Sequence, residues 1–174
     1  MACLEMGGAV GPRPPGRWER SSLDVVLYQP EIPQNTGNVA RTCAATHTPL
    51  HLVEPLGFRI TDRHLKRAGL DYWPFVSLRV HPNMESLKAA LPGARWVLFS
   101  AHACRSVYAF RFRPGDCLVF GSETSGLPKE LLDLAPENVL QIPIDRSQVR
   151  SLNLATSVGV ALFEAMRQLM LRDS

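Results

Sequence analysis

The stretch LDVVLYQPEIPQNTGNVAR, residues 23–41, changes character twice within nineteen residues. Leu23 to Tyr28 is a nearly unbroken apolar run, the pattern of a strand buried on both faces. Pro30, Pro33 and Gly37 then interrupt it with small polar residues between them. From Asn38 to His47 the apolar spacing becomes helical, and Thr36 or Asn35 is able to cap the start. Gly37 is expected to let the backbone turn tightly before that helix. Strand, polar loop and helix in this order make the first half of a strand–helix–strand crossover.

The same alternation continues outward. Further strands are expected at Leu50–Val53, Phe75–Val80, Trp96–Phe99, Asp116–Phe120 and Val139–Ile142. Helices are expected at Asp62–Ala68, Met84–Leu91, Leu127–Leu134 and Asn153–Leu171. Apolar strands alternating with helices predict an α/β fold, a parallel sheet flanked by helices on both faces. No internal repeat and no second domain is visible, so residues 23–174 read as one domain. Residues 1–22 differ: four Gly and three Pro fall between Gly7 and Gly16, with Arg13, Arg17 and Arg20 interleaved or following. Such a segment buries too little apolar surface to offset its ordering entropy and is expected to be a flexible tail.

Composition narrows the function classes. The 174 residues are 45% apolar and 20% charged, as in globular domains, which argues against wholesale disorder, collagen and coiled coil. No apolar run approaches the ~18 residues of a membrane span. The net charge of +3 permits a nucleic-acid partner without requiring one. Cys3, Cys43, Cys104 and Cys117 form no CxxC pair, and the five histidines lack metal-ligand spacing, so neither a metal site nor a disulfide framework is expected. Reduced thiols and the lack of a secretory leader suit a cytoplasmic protein.

The last helix carries two apolar stripes. Leu154, Val158, Ala161, Leu162, Ala165 and Leu169 form one; Val160, Phe163, Met166 and Met170 form the other. A helix apolar on two sides is buried on two sides. The second side is either a subunit interface, giving a homodimer through this helix, or a central position within one chain.

Three loops that follow strands are rich in Gly, Pro and small polar residues, and a parallel sheet puts them on one edge, where ligands of open α/β sheets bind. The first runs from Pro30 to Asn38 and leads to Arg41. Arg41, on the expected first turn of the helix, opposes the helix dipole there; it is either solvated or has a task. The second is Phe120-Gly121-Ser122-Glu123-Thr124-Ser125-Gly126-Leu127-Pro128, with a carboxylate between two glycines. Its glycines would allow close approach of a ligand, or the segment is a structural turn with a capping Glu123. It matches neither GxGxxG nor GxxxxGK[ST]. The third runs from Ile142 to Ala155, where Ser151 or Asn153 could cap the last helix. His102 also follows a strand. Arg63, Lys66 and Arg67 stand beside Tyr72 and Trp73, a basic face next to aromatics or a solvated helix next to core rings.

Together with Arg67-Ala68-Gly69-Leu70-Asp71-Tyr72 and Arg150-Ser151-Leu152-Asn153-Leu154, these loops resemble the signature motifs of the SPOUT, or α/β-knot, methyltransferases. Within that class they are similar to the TrmL (YibK) group of tRNA (cytidine/uridine-34)-2′-O-methyltransferases, over Leu23 to about Leu171. The resemblance implies a C-terminal trefoil knot, an S-adenosylmethionine site within it, and a homodimer acting on tRNA. It implies Phe99, Ser100, Gly121, Ile142, Ser151 and Leu152 around the cofactor. It implies Arg41, Asn35 and Glu123 as the catalytic constellation, with Arg41 and Arg150 toward the substrate. The rivals are a knot methyltransferase acting on another RNA or on a base nitrogen, a non-catalytic RNA-binding relative, and a small-molecule nucleotide-binding enzyme. Ser125 stands where many relatives have Arg, Phe163 where Tyr is common, and the segment Asp145–Gln148 runs one residue long.

Overall fold

The computed structural model describes residues 22–60 and 72–171. The elements in chain order are β1 (Asp24–Tyr28), α1 (Pro33–Ala45), β2 (Leu50–Val53), β3 (Leu78–His81), α2 (Met84–Ala90), β4 (Arg95–Phe99), β5 (Arg105–Ser106), β6 (Asp116–Phe120), α3 (Lys129–Leu132), β7 (Val139–Gln141) and α4 (Leu154–Met170). The tail at 1–22, apart from Ser22, and the expected helix at Asp62–Ala68 lie outside the described residues, as do Arg63, Lys66 and Arg67.

Seven strands form one sheet in the order β3-β2-β1-β6-β4-β7-β5. Every neighbouring pair is parallel; Val26 lies opposite His51 on one side and Val119 on the other. All carboxyl ends therefore share one edge. The order reverses at β1, whose neighbours β2 and β6 come from different parts of the chain. Strands β1, β6, β4 and β7 stand side by side in the middle, and the four segments leaving them meet at that edge.

The sheet is buried on both faces, as its apolar strands require. On one face Leu27, Leu52 and Leu118 pack against Val39 and Cys43 of α1 and Val158 and Leu162 of α4. On the other, Val26, Leu98 and Val119 pack against Leu87 of α2 and Leu131 of α3. Each fully buried Leu or Val contributes about 1.5–3 kcal/mol of burial free energy. Burial pushes the Cys43 thiol up to about 12 and raises Cys117 well above its usual value, so both thiols stay protonated in the core.

Several boundaries differ from those the sequence predicts. Helix α1 begins at Pro33, not Asn38, with Ile32 as N-cap and no side-chain cap from Thr36 or Asn35. Proline at the first helical position sets φ for the helix and lacks only an N–H that would be orphaned anyway. Gly37 is consequently helical and buried rather than a turn, and Arg41 lies in the third turn, away from the positive end of the dipole. The strand expected at Phe75–Val80 is a 3₁₀ turn at Trp73–Phe75 followed by β3. Helix α3 is one turn long because the chain on either side of it is taken up by the turns around Pro128 and Pro136. In α4, Met166 is buried with the first stripe, while Phe163 and Met170 are 51% and 44% exposed.

The loop from β5 to β6 is tied down by side chains. Gln168 of α4 donates from Nε2 to the Phe110 carbonyl (3.0 Å) and accepts from the Phe112 N–H (3.1 Å). Arg95 donates from Nε and Nη2 to the two oxygens of buried Asp116, both at 2.6 Å, and lies over the Phe110 ring.

Candidate active site

A cleft of about 980 Å³ opens along the carboxyl edge of β1, β6, β4 and β7. Its floor is aromatic: Phe99 ends β4 and Phe120 ends β6, and their rings stack at 4.5 Å with 9° between planes. Leu140, Ile142 and Leu152 continue the apolar wall, and Ser100, His102, Glu123, Arg146 and Arg150 bring polar groups to it.

The wall between α1 and α4 is a chain of hydrogen bonds. The Glu123 carboxylate accepts from the backbone N–H of Glu31 (2.8 Å, Oε2) and of Ile32 (3.3 Å, Oε1), the two residues that lead into α1. It also accepts from Asn35 Nδ2 at 3.0 Å. The Asn35 Oδ1 in turn accepts from Asn153 Nδ2 at 2.8 Å. Asn153 is the N-cap of α4 and accepts from the N–H of Ala155 (2.9 Å) and Thr156 (3.4 Å). One carboxylate and two amides thus join the starts of two helices. Glu123 supplies the negative charge that the N-terminus of α1 favours, which its own first turn lacks. Thr124 Oγ1 donates to Glu31 Oε1 at 2.7 Å and fastens the same loops again.

Gly121 is required by the protein's own backbone. A Cβ there would sit 2.0 Å from the Gly126 carbonyl carbon and 2.2 Å from the Leu127 nitrogen. The loop folds back on itself at this point: Gly126 N–H donates to the Ser122 carbonyl (3.0 Å) and has φ of +68°. Ser125 shares a 2.7 Å hydrogen bond with Ser122 within the same loop.

Of the residues singled out from the sequence, Asn35, Phe99, Ser100, Gly121, Glu123, Ile142, Arg150, Ser151 and Leu152 all line this cleft. Arg41 does not. It lies six residues beyond Asn35, about 9 Å further along α1 and roughly 120° around it. Its guanidinium is held over the Tyr72 ring, 5.7 Å from the centroid. His102, which follows a strand and so could line this edge or lie on the surface, does line the cleft, as does Arg146 from the charged segment beside the third loop. Asn153, expected only as a cap, also holds Asn35; spacing along the chain gives no hint of a bond across 118 residues.

An open parallel α/β domain with a cleft along one sheet edge at a reversal of strand order is a ligand-binding architecture. The profile of the SpoU rRNA Methylase family matches residues 22–163. The chain belongs to that family. It is 49% identical over 147 residues to a tRNA (cytidine(34)-2′-O)-methyltransferase of Methylovorus glucosotrophus, covering 84% of this chain and 95% of that protein. A solved structure concerned with the 2-OH methylation of C/U34 on tRNA is 58% identical, with a TM-score of 0.80 over 86% of this chain and 97% of the other. The methyltransferase AviRb from Streptomyces viridochromogenes, in complex with AdoMet, is 25% identical with a TM-score of 0.75, covering 95% of this chain and 64% of that one.

Proposed function

We propose that this chain transfers a methyl group from S-adenosylmethionine to the ribose 2′-oxygen of nucleotide 34 in tRNA. The observation that carries this is the bonded wall Glu123–Asn35–Asn153 beside the stacked floor of Phe99 and Phe120. S-adenosylmethionine joins a purine nucleoside to a sulfonium amino acid. A cleft with an apolar floor, a polar rim and tight backbone turns suits both parts. Phe99, Ser100, Gly121, Ile142, Ser151 and Leu152 would hold it. When bound, it supplies an electrophilic methyl group.

The protein's part is orientation and charge. Glu123 accepts three hydrogen bonds from the start of α1 and from Asn35, and its assigned role is to fix that geometry. Arg150 and Arg146 put positive charge at the mouth, where an RNA backbone needs it. A guanidinium stays protonated, so Arg41 is assigned to stabilising the oxyanion that develops on the 2′-oxygen as its proton passes to solvent and the methyl donor would leave as a neutral thioether, or to anchoring the phosphate beside it. Its place outside its own chain's cleft fits a site completed when substrate and a second copy are present.

That second copy is the other half of the proposal. Phe163 and Met170 lie one above the other on the outer side of α4, with half-buried Val160 beside them. Covering them in a homodimer would bury an apolar strip left open in the single chain. The proposal also takes the C-terminal strands and α4 as threaded in a trefoil knot, and the protein as cytoplasmic.

The test is transfer of label from S-adenosylmethionine into total tRNA, with nuclease mapping of the labelled ribose. Label at the 2′-oxygen of position 34 is the expected result. Label at another nucleotide, or in another RNA, overturns the assigned substrate. Cofactor binding with no transfer to any RNA overturns the catalytic assignment.

A further inference from the structure

We propose that Tyr72 is a positioning residue for Arg41, holding the guanidinium from outside the cleft. This rests on the assignment of Arg41 to the methyl-transfer site. Tyr72 comes from a different part of the chain, at the entry to the Trp73–Phe75 turn, and is half-buried against the core. It grips α1 at two points. Its hydroxyl donates to the Gly37 carbonyl at 2.9 Å. Its ring lies under the Arg41 guanidinium, 5.7 Å from centroid to Cζ.

The two contacts act on one turn of α1. In an α-helix the carbonyl of residue 37 accepts the backbone N–H of residue 41. The Tyr72 hydroxyl uses the second lone pair of that carbonyl. It therefore reaches the helix at the turn that carries Arg41, and Gly37, with no side chain, leaves the backbone open to it. The ring is itself oriented, with Trp73 edge-on at 6.4 Å and 62°. A cation above an aromatic face is held electrostatically, and a planar guanidinium stacks there well. Arg41 is exposed and has a long, many-rotamer side chain. The Tyr72 face restricts where its head lies before substrate arrives, which is what preorganisation requires.

The experiment compares Tyr72→Phe and Tyr72→Leu, each alone and combined with Arg41→Ala. It reads kcat and KM for tRNA, calorimetric affinity for S-adenosylmethionine, and the Arg41 Nε–Hε resonance. Losing the hydroxyl in Tyr72→Phe should lower kcat about five-fold. Losing the ring as well in Tyr72→Leu should lower it roughly 20-fold. Cofactor affinity should hold. The Arg41 Hε signal should move in Tyr72→Leu, as the ring current is lost, and stay close to its place in Tyr72→Phe. In the Arg41→Ala background neither change at Tyr72 should cost more rate. Equal losses in both backgrounds, or an unmoved Arg41 signal in Tyr72→Leu, overturn the proposal. Where Arg41→Ala leaves no measurable rate, the resonance decides. Normal turnover by Arg41→Ala overturns the assignment of Arg41 itself, a result distinct from a moved or unmoved resonance. If Tyr72→Leu does not fold, Tyr72→Phe still tests the hydroxyl: unchanged kcat there overturns that contact.

Discussion

Two chains of hydrogen bonds cross this molecule, and they differ in what they join. At the carboxyl edge, Glu123, Asn35 and Asn153 link groups 88 and 118 residues apart and face the cleft. Across β1, β2 and β3, Asp24, His51 and His81 link neighbours in the sheet: Asp24 Oδ1 to His51 Nε2 at 3.1 Å and His51 Nδ1 to His81 Nε2 at 3.0 Å. None of those three lines the cleft. The first chain has no titrating donor: its carboxylate accepts from two backbone N–H groups and one side-chain amide. The second needs one imidazole to donate and the other to accept, so it depends on protonation. Polar groups at the site join loops distant in sequence; the pair of histidines joins neighbouring strands of the sheet.

The sharpest way to break the first chain is to disturb the turn that presents it. In Gly121→Ala the new methyl meets backbone atoms at 2.0 and 2.2 Å, with no flexible side chain to move aside. The loss of stability should be at least about 3 kcal/mol by denaturant unfolding, with cofactor binding lost by calorimetry. Near-normal stability and binding would show that the loop has a second conformation that leaves room for a side chain.

Glu123→Gln comes next. Either orientation of the amide sets an N–H against a backbone or Asn35 donor. Stability should drop by about 1–2 kcal/mol, with methyl transfer falling alongside. An unchanged unfolding midpoint with lost activity would mean that the carboxylate is kept for the substrate, and the contrast between the two chains would collapse.

The second chain should be visible as a pH dependence. Burial, the charge of His51 and the Arg79 guanidinium each disfavour the His81 imidazolium, so its pKa lies below the usual histidine range. Asp24 reaches the pair through His51, and Cys117 lies close to Asp24 on β6. With the folded pKa depressed, the unfolded chain takes up a proton first as the pH falls. The stabilisation is present above about 6.5 and is lost as the pH drops toward the folded value. The thermal midpoint should therefore decline from pH 7.5 to 5.5, and His81→Gln should flatten the decline. A rise in the midpoint over that range would contradict this assignment.

The two regions were not equally legible in the sequence. Strands β1, β2 and β6 and the grouping of three loops on one edge follow from apolar runs and from all strands being parallel. The start of α1 was hidden because Pro33 and Gly37 are loop signals by composition; here one is a first-turn proline and the other sits in the helix interior. The two-residue β5 is too short to leave a pattern. At the site, residue types pointed to the cleft, but bonding partners did not: nothing in the spacing says that Glu123 serves Glu31 and Ile32, or that Asn153 holds Asn35. Those depend on strand order, set by packing between distant segments. The histidine pair was invisible for the same reason, since only the β2–β3 register brings His51 and His81 together.

The smallest effect expected lies beside the site chain. Thr36 follows Asn35 on α1 and is 1% exposed, yet its hydroxyl has no hydrogen-bond partner among the described residues. A buried donor without an acceptor costs stability that an apolar group of the same shape does not. Thr36→Val keeps the volume and the branched Cβ, so unfolding free energy should be unchanged or higher by up to about 1 kcal/mol. A loss of more than that would mean that the hydroxyl has an acceptor in the assembled protein. A gain in stability paired with a fall in methyl transfer would be more telling. It would place Thr36 with Asn35 as a polar group retained for the site at a cost to the fold, the trade expected where function overrides local consistency.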